Sequence, residues 1–133
     1  MNTFNLSILA PERILLQDEA VESLIITTAE GEIEVLPGHA DMVSTLETGR
    51  FVYRSSKGNV IGVISSGFLN VENGLVKVIA ETIELAGEIN LNRAKEAQIK
   101  AQKMLTEASL DEHAFKKYQL KLQRSIIRQS LGN

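Results

Sequence analysis

Cysteine and tryptophan are both absent from the 133 residues. Without cysteine there can be no disulfide, no thiolate nucleophile and no cysteine metal site. The only histidines are His39 and His113, too few for a three-histidine metal centre, and no metal site is expected. Aromatic residues make up 5% of the chain, which argues against a ligand pocket walled by rings. No apolar run approaches the roughly 20 residues that a membrane-spanning helix needs. The opening MNTFNLSILAPERILL lacks the basic start and small-residue cleavage site of a secretory leader, so residues 1–16 are expected to belong to the fold. Neither a GxxxxGK[ST] phosphate loop nor a GxSxG nucleophile elbow occurs.

What is present is a globular composition, 44% hydrophobic and 23% charged. The net charge of −3 conceals a division. Residues 1–90 hold 5 basic and 13 acidic side chains, a balance of −8, whereas residues 91–133 hold 9 and 4, a balance of +5. A change of sign at one point in the chain implies two modules with different partners.

The first module reads as β-structure. Phe4, Leu6 and Ile8 alternate with polar neighbours, as on a half-buried strand. Ile14-Leu15-Leu16 is a short apolar run, residues 21–28 are rich in β-branched side chains, and Ile33 and Val35 alternate with Glu32 and Glu34. Further strands are predicted at residues 51–54 and 60–64, punctuated by Gly49, Ser55, Ser56 and Gly58. Asn73-Gly74, between FLNVE and LVKVIA, predicts a hairpin with a type I′ turn. Short strands at this spacing argue for a sandwich or barrel.

Near Leu85 the periodicity changes. Gly87 is the last glycine before Gly132, and no proline follows Pro37. Leu91, Ala94, Ala97, Ala101, Met104, Leu105 and Ala108 fall in three- and four-residue steps on one helical face, with Asn90 as the N-cap. A second helix is expected from Glu112 to Gln129, capped by Asp111, with a stripe of Phe115, Tyr118, Leu122 and Ile126. The break at Ser109-Leu110 is short, so the helices are expected to pair antiparallel. Alanine buries little area at about 25 cal/mol per Å². This hairpin is therefore expected to hold its folded-back state only marginally.

Three features bear on chemistry. Pro37-Gly38 favours a tight turn and leaves His39 beside it. Lys117, Lys121, Arg124 and Arg128 follow steps of four, three and four, one basic stripe among the cations that also include Lys116. Such a stripe suits an acidic protein surface. Nucleic acid is disfavoured, because the domain as a whole is acidic and has no aromatic interleaving. Ser65 or Ser66 with His39 would be the only nucleophile and base to imagine. The carboxylate pairs Asp18-Glu19 and Glu32/Glu34 read as exposed strand charges. No catalytic residue is expected. A ligand-binding sandwich, a self-associating scaffold and a hydrolase are the alternatives.

Four segments in order then resemble one family. Gly31-Glu32 followed by Leu36-Pro37-Gly38-His39-Ala40 resembles the GE and LPGHA signature of F-type ATP synthase epsilon subunits. Ser66-Gly67-Phe68-Leu69-Asn70-Val71 is similar to the family's SGGFLEV strand, VKVIAETIE from Val76 to its VTVLADTAE strand, and Ile89-Asn90-Leu91-Asn92-Arg93-Ala94 to its IDxxRA helix start. The likeness covers nearly the whole chain. The departures are Glu34 for a usual glycine, Asp41 for a frequent proline, Ser66 for a glycine, Asn70 for a glutamate and Asn90 for the motif's aspartate.

The resemblance implies a β-sandwich of about ten strands over residues 1–88 and a regulatory two-helix hairpin over residues 89–133. It implies a non-catalytic rotor subunit of the central stalk, coupling proton-driven rotation to ATP synthesis. The sandwich would bind the gamma subunit and the polar loops of the membrane c-ring, with Glu32, Pro37, Gly38 and His39 in the contact region. The hairpin would swing toward the catalytic beta and alpha subunits and restrain ATP hydrolysis. Some bacterial members bind regulatory ATP on the hairpin. Carried over by position, those residues are Glu84, Ile89, Asn90, Arg93, Ala94, Arg124 and Arg128, with Lys100 where some ATP binders have arginine. The expected location is peripheral, on the cytoplasmic face of a bacterial plasma membrane or the stromal side of a thylakoid. The isolated protein is expected to be a monomer.

Overall fold

The structure is a computed structural model that describes residues 2–107 and 109–131. Among these residues the order of elements is β1 (Phe4–Ala10), β2 (Arg13–Val21), β3 (Ser23–Thr28), β4 (Gly31–Val35), β5 (Met42–Ser55), β6 (Gly58–Ile64), β7 (Gly67–Glu72), β8 (Leu75–Ala80), β9 (Ile83–Leu85), a 3-10 turn (Ala86–Glu88), α1 (Leu91–Glu107) and α2 (Glu112–Leu131). Two compact units divide between Leu85 and Ala86.

In the first unit the hydrogen-bonded order is β2-β1-β8-β7-β5-β3-β4, with β6 added on β5 and β9 on β6. All pairings are antiparallel except β1 with β8, which is parallel. The 14-residue β5 is the corner of the sandwich. Its residues 42–46 pair with β7 and residues 49–55 with β6. The β3 partner shifts register between Ile26 and Thr28 to follow that turn. Gly49 sits there because a Cβ would lie 2.5 Å from Thr27 Oγ1.

Strand alternation places Leu6, Ile8, Leu24, Ile26, Phe51, Ile64, Leu69 and Val78 in one core. Each is within 2% of full burial, and a buried side chain of this size contributes about 1.5–3 kcal/mol relative to exposure. The nine strands compare with the expectation of about ten. The run at residues 21–28 is two strands, because β2 ends at Val21 and β3 starts at Ser23. The strand at residues 51–54 is the second half of β5, whose first half (MVSTLETGR) is too polar to announce itself. The segment likened to VTVLADTAE is likewise two strands, β8 and β9, parted at Glu81-Thr82.

The second unit is a helical hairpin in which α1 packs on α2. Asn90 Oδ1 accepts the Arg93 N–H at 3.1 Å and Asp111 Oδ1 accepts the Ala114 N–H at 2.7 Å, so both expected caps are in place. The α1 face is as expected, with Ala94 and Ala101 buried and Leu91, Ala97, Met104 and Leu105 half-buried. Ala108, its last expected member, lies outside the described residues, as does Gly132. The α2 face differs. Phe115 and Ile126 of the expected stripe are 44% and 48% exposed, and the one buried residue of α2 is Ser125. Tyr118 and Leu122 remain half-buried and are joined by Arg124, Arg128 and Gln129. The seam is rotated toward a polar side because alanine on α1 leaves room for hydroxyl, amide and guanidinium groups.

Candidate functional site

The segment from Gly31 to Ala40 is the edge strand β4, entered from the turn at residues 29–30 and followed by a second turn at Pro37-Gly38. At its start Thr28 Oγ1 donates to the Gly31 carbonyl at 2.7 Å and accepts the Glu30 N–H at 3.2 Å. Gly31 takes φ +114°, a region that favours glycine. The Glu32 carboxylate is gripped by Arg50, from Nε at 3.0 Å and Nη2 at 3.3 Å. That hydrogen bond holds the Glu32 carboxyl below its ordinary range.

The second turn lies at the other end of the strand. The His39 N–H donates to the Leu36 carbonyl at 3.1 Å, and Gly38 takes φ +84°. With proline second and glycine third this is a type II turn. His39 is half-exposed, and its Nδ1 lies 2.7 Å from the Ala40 carbonyl. A carbonyl oxygen only accepts, so Nδ1 carries the proton in that contact. Pro37, Gly38 and His39 are thus brought together. Glu32 is not, because the rest of β4 separates them by about 13–16 Å at roughly 3.3 Å per residue. A further contact fixes the second turn's rim: Asp41 Oδ1 accepts the Asn73 N–H at 3.0 Å, tying the β4–β5 connection to the β7–β8 turn.

The outer face of β5, β7 and β8 carries an apolar patch that sequence reading missed. Thr45 pairs with Phe68 and Phe68 with Ile79 across three neighbouring strands. Phe68 is 58% exposed, Ile79 46%, and Val43 on β5 74%. A shallow cleft of about 350 Å³ runs over Phe68 and Ile79 to Pro11. The signal was available: Phe68 and Ile79 are out of phase with the buried Leu69, Val71, Val76 and Val78.

The imagined nucleophile and base are not assembled. Ser65 Oγ is 2.6 Å from Thr82 Oγ1 and accepts the Thr82 N–H at 3.1 Å, a bracing role between β6 and β9, while His39 is engaged with Ala40.

On the hairpin, Lys100 of α1 and Lys121, Arg124 and Arg128 of α2 line one cleft of about 240 Å³. Its floor is Ala97, Ala101 and Ser125, and Tyr118 closes one side. Lys117 Nζ and Lys121 Nζ lie 5.8 and 5.4 Å from the Tyr118 ring centroid, within cation–π range. The basic stripe is therefore partly turned into the seam: Lys117 and Lys121 are exposed, Arg124 and Arg128 half-buried. Of the residues expected to hold nucleotide, the cleft joins Arg124 and Arg128 with Lys100. Ile89 and Asn90 precede α1, with Asn90 about 15 Å along the axis from the level of Lys100, and Arg93 and Ala94 lie in its first turn, about 10 Å from that level. Glu84 is on β9 of the first unit. Beyond the cleft, Gln129 Nε2 donates to Gln98 Oε1 across the seam and to the Ser125 carbonyl at 3.2 Å. The helical phase of Gln98, one step from Ala94 and Ala101, was the sequence signal for this amide pair.

Two family models match in tandem. The one described as ATP synthase, Delta/Epsilon chain, beta-sandwich domain matches residues 3–86, and that described as ATP synthase, Delta/Epsilon chain, long alpha-helix domain matches residues 88–129. The ATP synthase epsilon chain of Geotalea daltonii is 38% identical over 112 residues, covering 83% of this chain and 80% of that one. The epsilon chain of Syntrophomonas wolfei is 37% identical over 128 residues, covering 96% and 92%. Among solved structures, a chain in the Euglena gracilis mitochondrial ATP synthase (OSCP/F1/c-ring) superposes with a TM-score of 0.86 at 24% identity, covering 98% of this chain and 81% of that one, a likeness of fold.

Proposed function

The chain belongs to the ATP synthase delta/epsilon family, as an epsilon-type subunit of the F-type ATP synthase central stalk, and from that premise we propose how its two units divide the work. The sandwich docks on the gamma subunit and on the polar loops of the c-ring. The hairpin opens toward the catalytic beta and alpha subunits and obstructs rotation in the hydrolysis direction. The chain itself performs no covalent chemistry; it transmits torque and sets a population of hairpin states. As part of a membrane-bound complex it lies peripherally, on the cytoplasmic face of a bacterial plasma membrane.

The observation that carries the docking half is the outer-face patch of Val43, Phe68 and Ile79 on a rigid sandwich. Exposed apolar side chains gathered on neighbouring strands suit a protein interface. The Pro37-Gly38-His39 turn and the Glu32–Arg50 rim offer polar contacts at either end of β4. Titrating purified gamma into wild-type protein and into Phe68→Lys tests this. Binding is expected for the wild type and a loss of more than tenfold for the variant; equal affinity refutes docking through the patch. For the hairpin, removal of residues 91–133 is expected to preserve assembly and raise ATP hydrolysis by the complex. A truncated chain that fails to assemble contradicts it.

A second reading concerns regulatory ATP. The supporting observation is the cleft that gathers Lys100, Lys121, Arg124 and Arg128 beside the Tyr118 ring. Guanidinium and ammonium groups suit a polyphosphate. Asn90 keeps the cap but supplies no carboxylate, so binding is expected to be weak. Calorimetry with ATP tests it: micromolar affinity would overturn the expected weakness, and no heat would remove the site.

A further inference from the structure

Asn73-Gly74 is the only asparagine–glycine pair in the chain. It forms the β7–β8 turn, flanked by the Glu72–Leu75 pair, with Asn73 at φ +50° and Gly74 at φ +78°. Those signs are those of a type I′ turn, and both residues are exposed. We propose that Asn73 is a site of spontaneous deamidation and isoaspartate formation, and that Asp41 governs its rate.

The chemistry uses only the chain and water. The Gly74 backbone nitrogen, unhindered because glycine has no side chain, attacks the Asn73 side-chain carbonyl carbon and loses its proton to solvent. A bond forms from that nitrogen to Cγ, Nδ2 takes up a proton from solvent as the Cγ–Nδ2 bond breaks, and ammonia leaves. The five-membered imide then takes up one water. Opening at one carbonyl gives aspartate; opening at the other gives isoaspartate, in which the main chain runs through the side-chain carbon.

The native turn opposes the first step. A type I′ conformation holds the Cβ of its first central residue roughly opposite the following nitrogen, so ring closure requires rotation about the Asn73 Cα–C bond. Two hydrogen bonds resist that rotation. Asp41 Oδ1 accepts the Asn73 N–H at 3.0 Å, and the Gly74 carbonyl accepts the Asn5 N–H at 3.2 Å. The first is charge-assisted and reaches in from the β4–β5 connection. Once formed, isoaspartate adds a backbone atom to a two-residue turn. The Val71–Val76 and Glu72–Leu75 pairs can no longer close in register, and a new carboxylate sits beside Asp41.

The test is peptide mass mapping of the full-length folded protein during incubation at mildly alkaline pH and 37 °C. An isoaspartyl-specific methyltransferase distinguishes the two products. Asn73 is expected to convert first, ahead of Asn5, Asn59, Asn70, Asn90 and Asn92. Asp41→Ala is expected to accelerate conversion roughly tenfold through loss of the charge-assisted bond, and Asp41→Asn, which keeps an acceptor, to fall between. Circular dichroism confirms that each variant is folded; should Asp41→Ala unfold, Asp41→Asn alone decides. Conversion of Asn73 no faster than Asn59 overturns the site. Conversion at Asn73 with a rate unaltered by folded Asp41 variants overturns its control by Asp41.

Discussion

The sandwich and the hairpin are stabilised by different kinds of surface. The sandwich buries Leu, Ile, Val and Phe side chains from strands that are distant in sequence, and its turns are fixed by glycines with positive φ and by Thr28, Ser65 and Asp41. The hairpin has Ala94 and Ala101 as the buried residues of α1 and Ser125 as that of α2, with Gln98 hydrogen-bonded to Gln129. Helices in proteins draw most of their stability from packing of one face, and this seam offers mainly small and polar groups for it. A domain that must not deform is built on large aliphatic groups. One that must change state is built on small and polar groups, whose separation exposes little apolar area and leaves few unsatisfied groups once water enters.

Truncating a core side chain should break the first half of that comparison. Phe51→Ala, at a fully buried ring on the β5 corner, is expected to cost about 3–5 kcal/mol. Chemical denaturation followed at the sandwich would show it. The opposite sign is expected in the hairpin: Gln98→Leu with Gln129→Leu replaces the amide pair by apolar contact and is expected to stabilise the closed hairpin by roughly 1–2 kcal/mol. Thermal unfolding of the helical signal measures that change, and reduced inhibition of hydrolysis should accompany it. Between these lies the cap: Asp111→Ala is expected to cost about 1 kcal/mol of hairpin stability, seen as lost helicity with the sandwich transition unmoved.

How far the sequence carried is best seen in single residues. Asn90 and Asp111 were legible as caps because capping is local. The Pro37-Gly38 turn and the Asn73-Gly74 turn were legible for the same reason. The first half of β5 was not, because its residues are polar and its pairing with β7 is long-range. The parallel β1–β8 contact was hidden likewise, since no turn announces it. In α2, Phe115 and Ile126 misled because apolar spacing was weighed and the small Ser125 was not; the seam follows size where the facing helix presents alanine. Glu32 was legible as a conspicuous charge, but its partner Arg50 lies on another strand.

The smallest expected effect sharpens the comparison at the sandwich surface. The Glu32 carboxyl is lowered by its hydrogen bond to Arg50. A lowered carboxyl contributes stability above its unfolded value, and that contribution is lost as pH falls through the folded value. The pair is about half exposed, so only a few tenths of a kcal/mol are expected. Arg50→Ala should remove this part of the acid dependence below about pH 4.3, measured by denaturant midpoints across pH.

The physical claim beneath the functional reading is that one unit is held far more tightly than the other. Amide hydrogen exchange on the intact chain, resolved by residue, measures both at once. The core strands β3, β5 and β7 should exchange only through global opening, and α1 and α2 through a separate opening at least ~100-fold more frequent. Equal protection in the two units, or slower exchange in the helices, would contradict a hairpin built to let go.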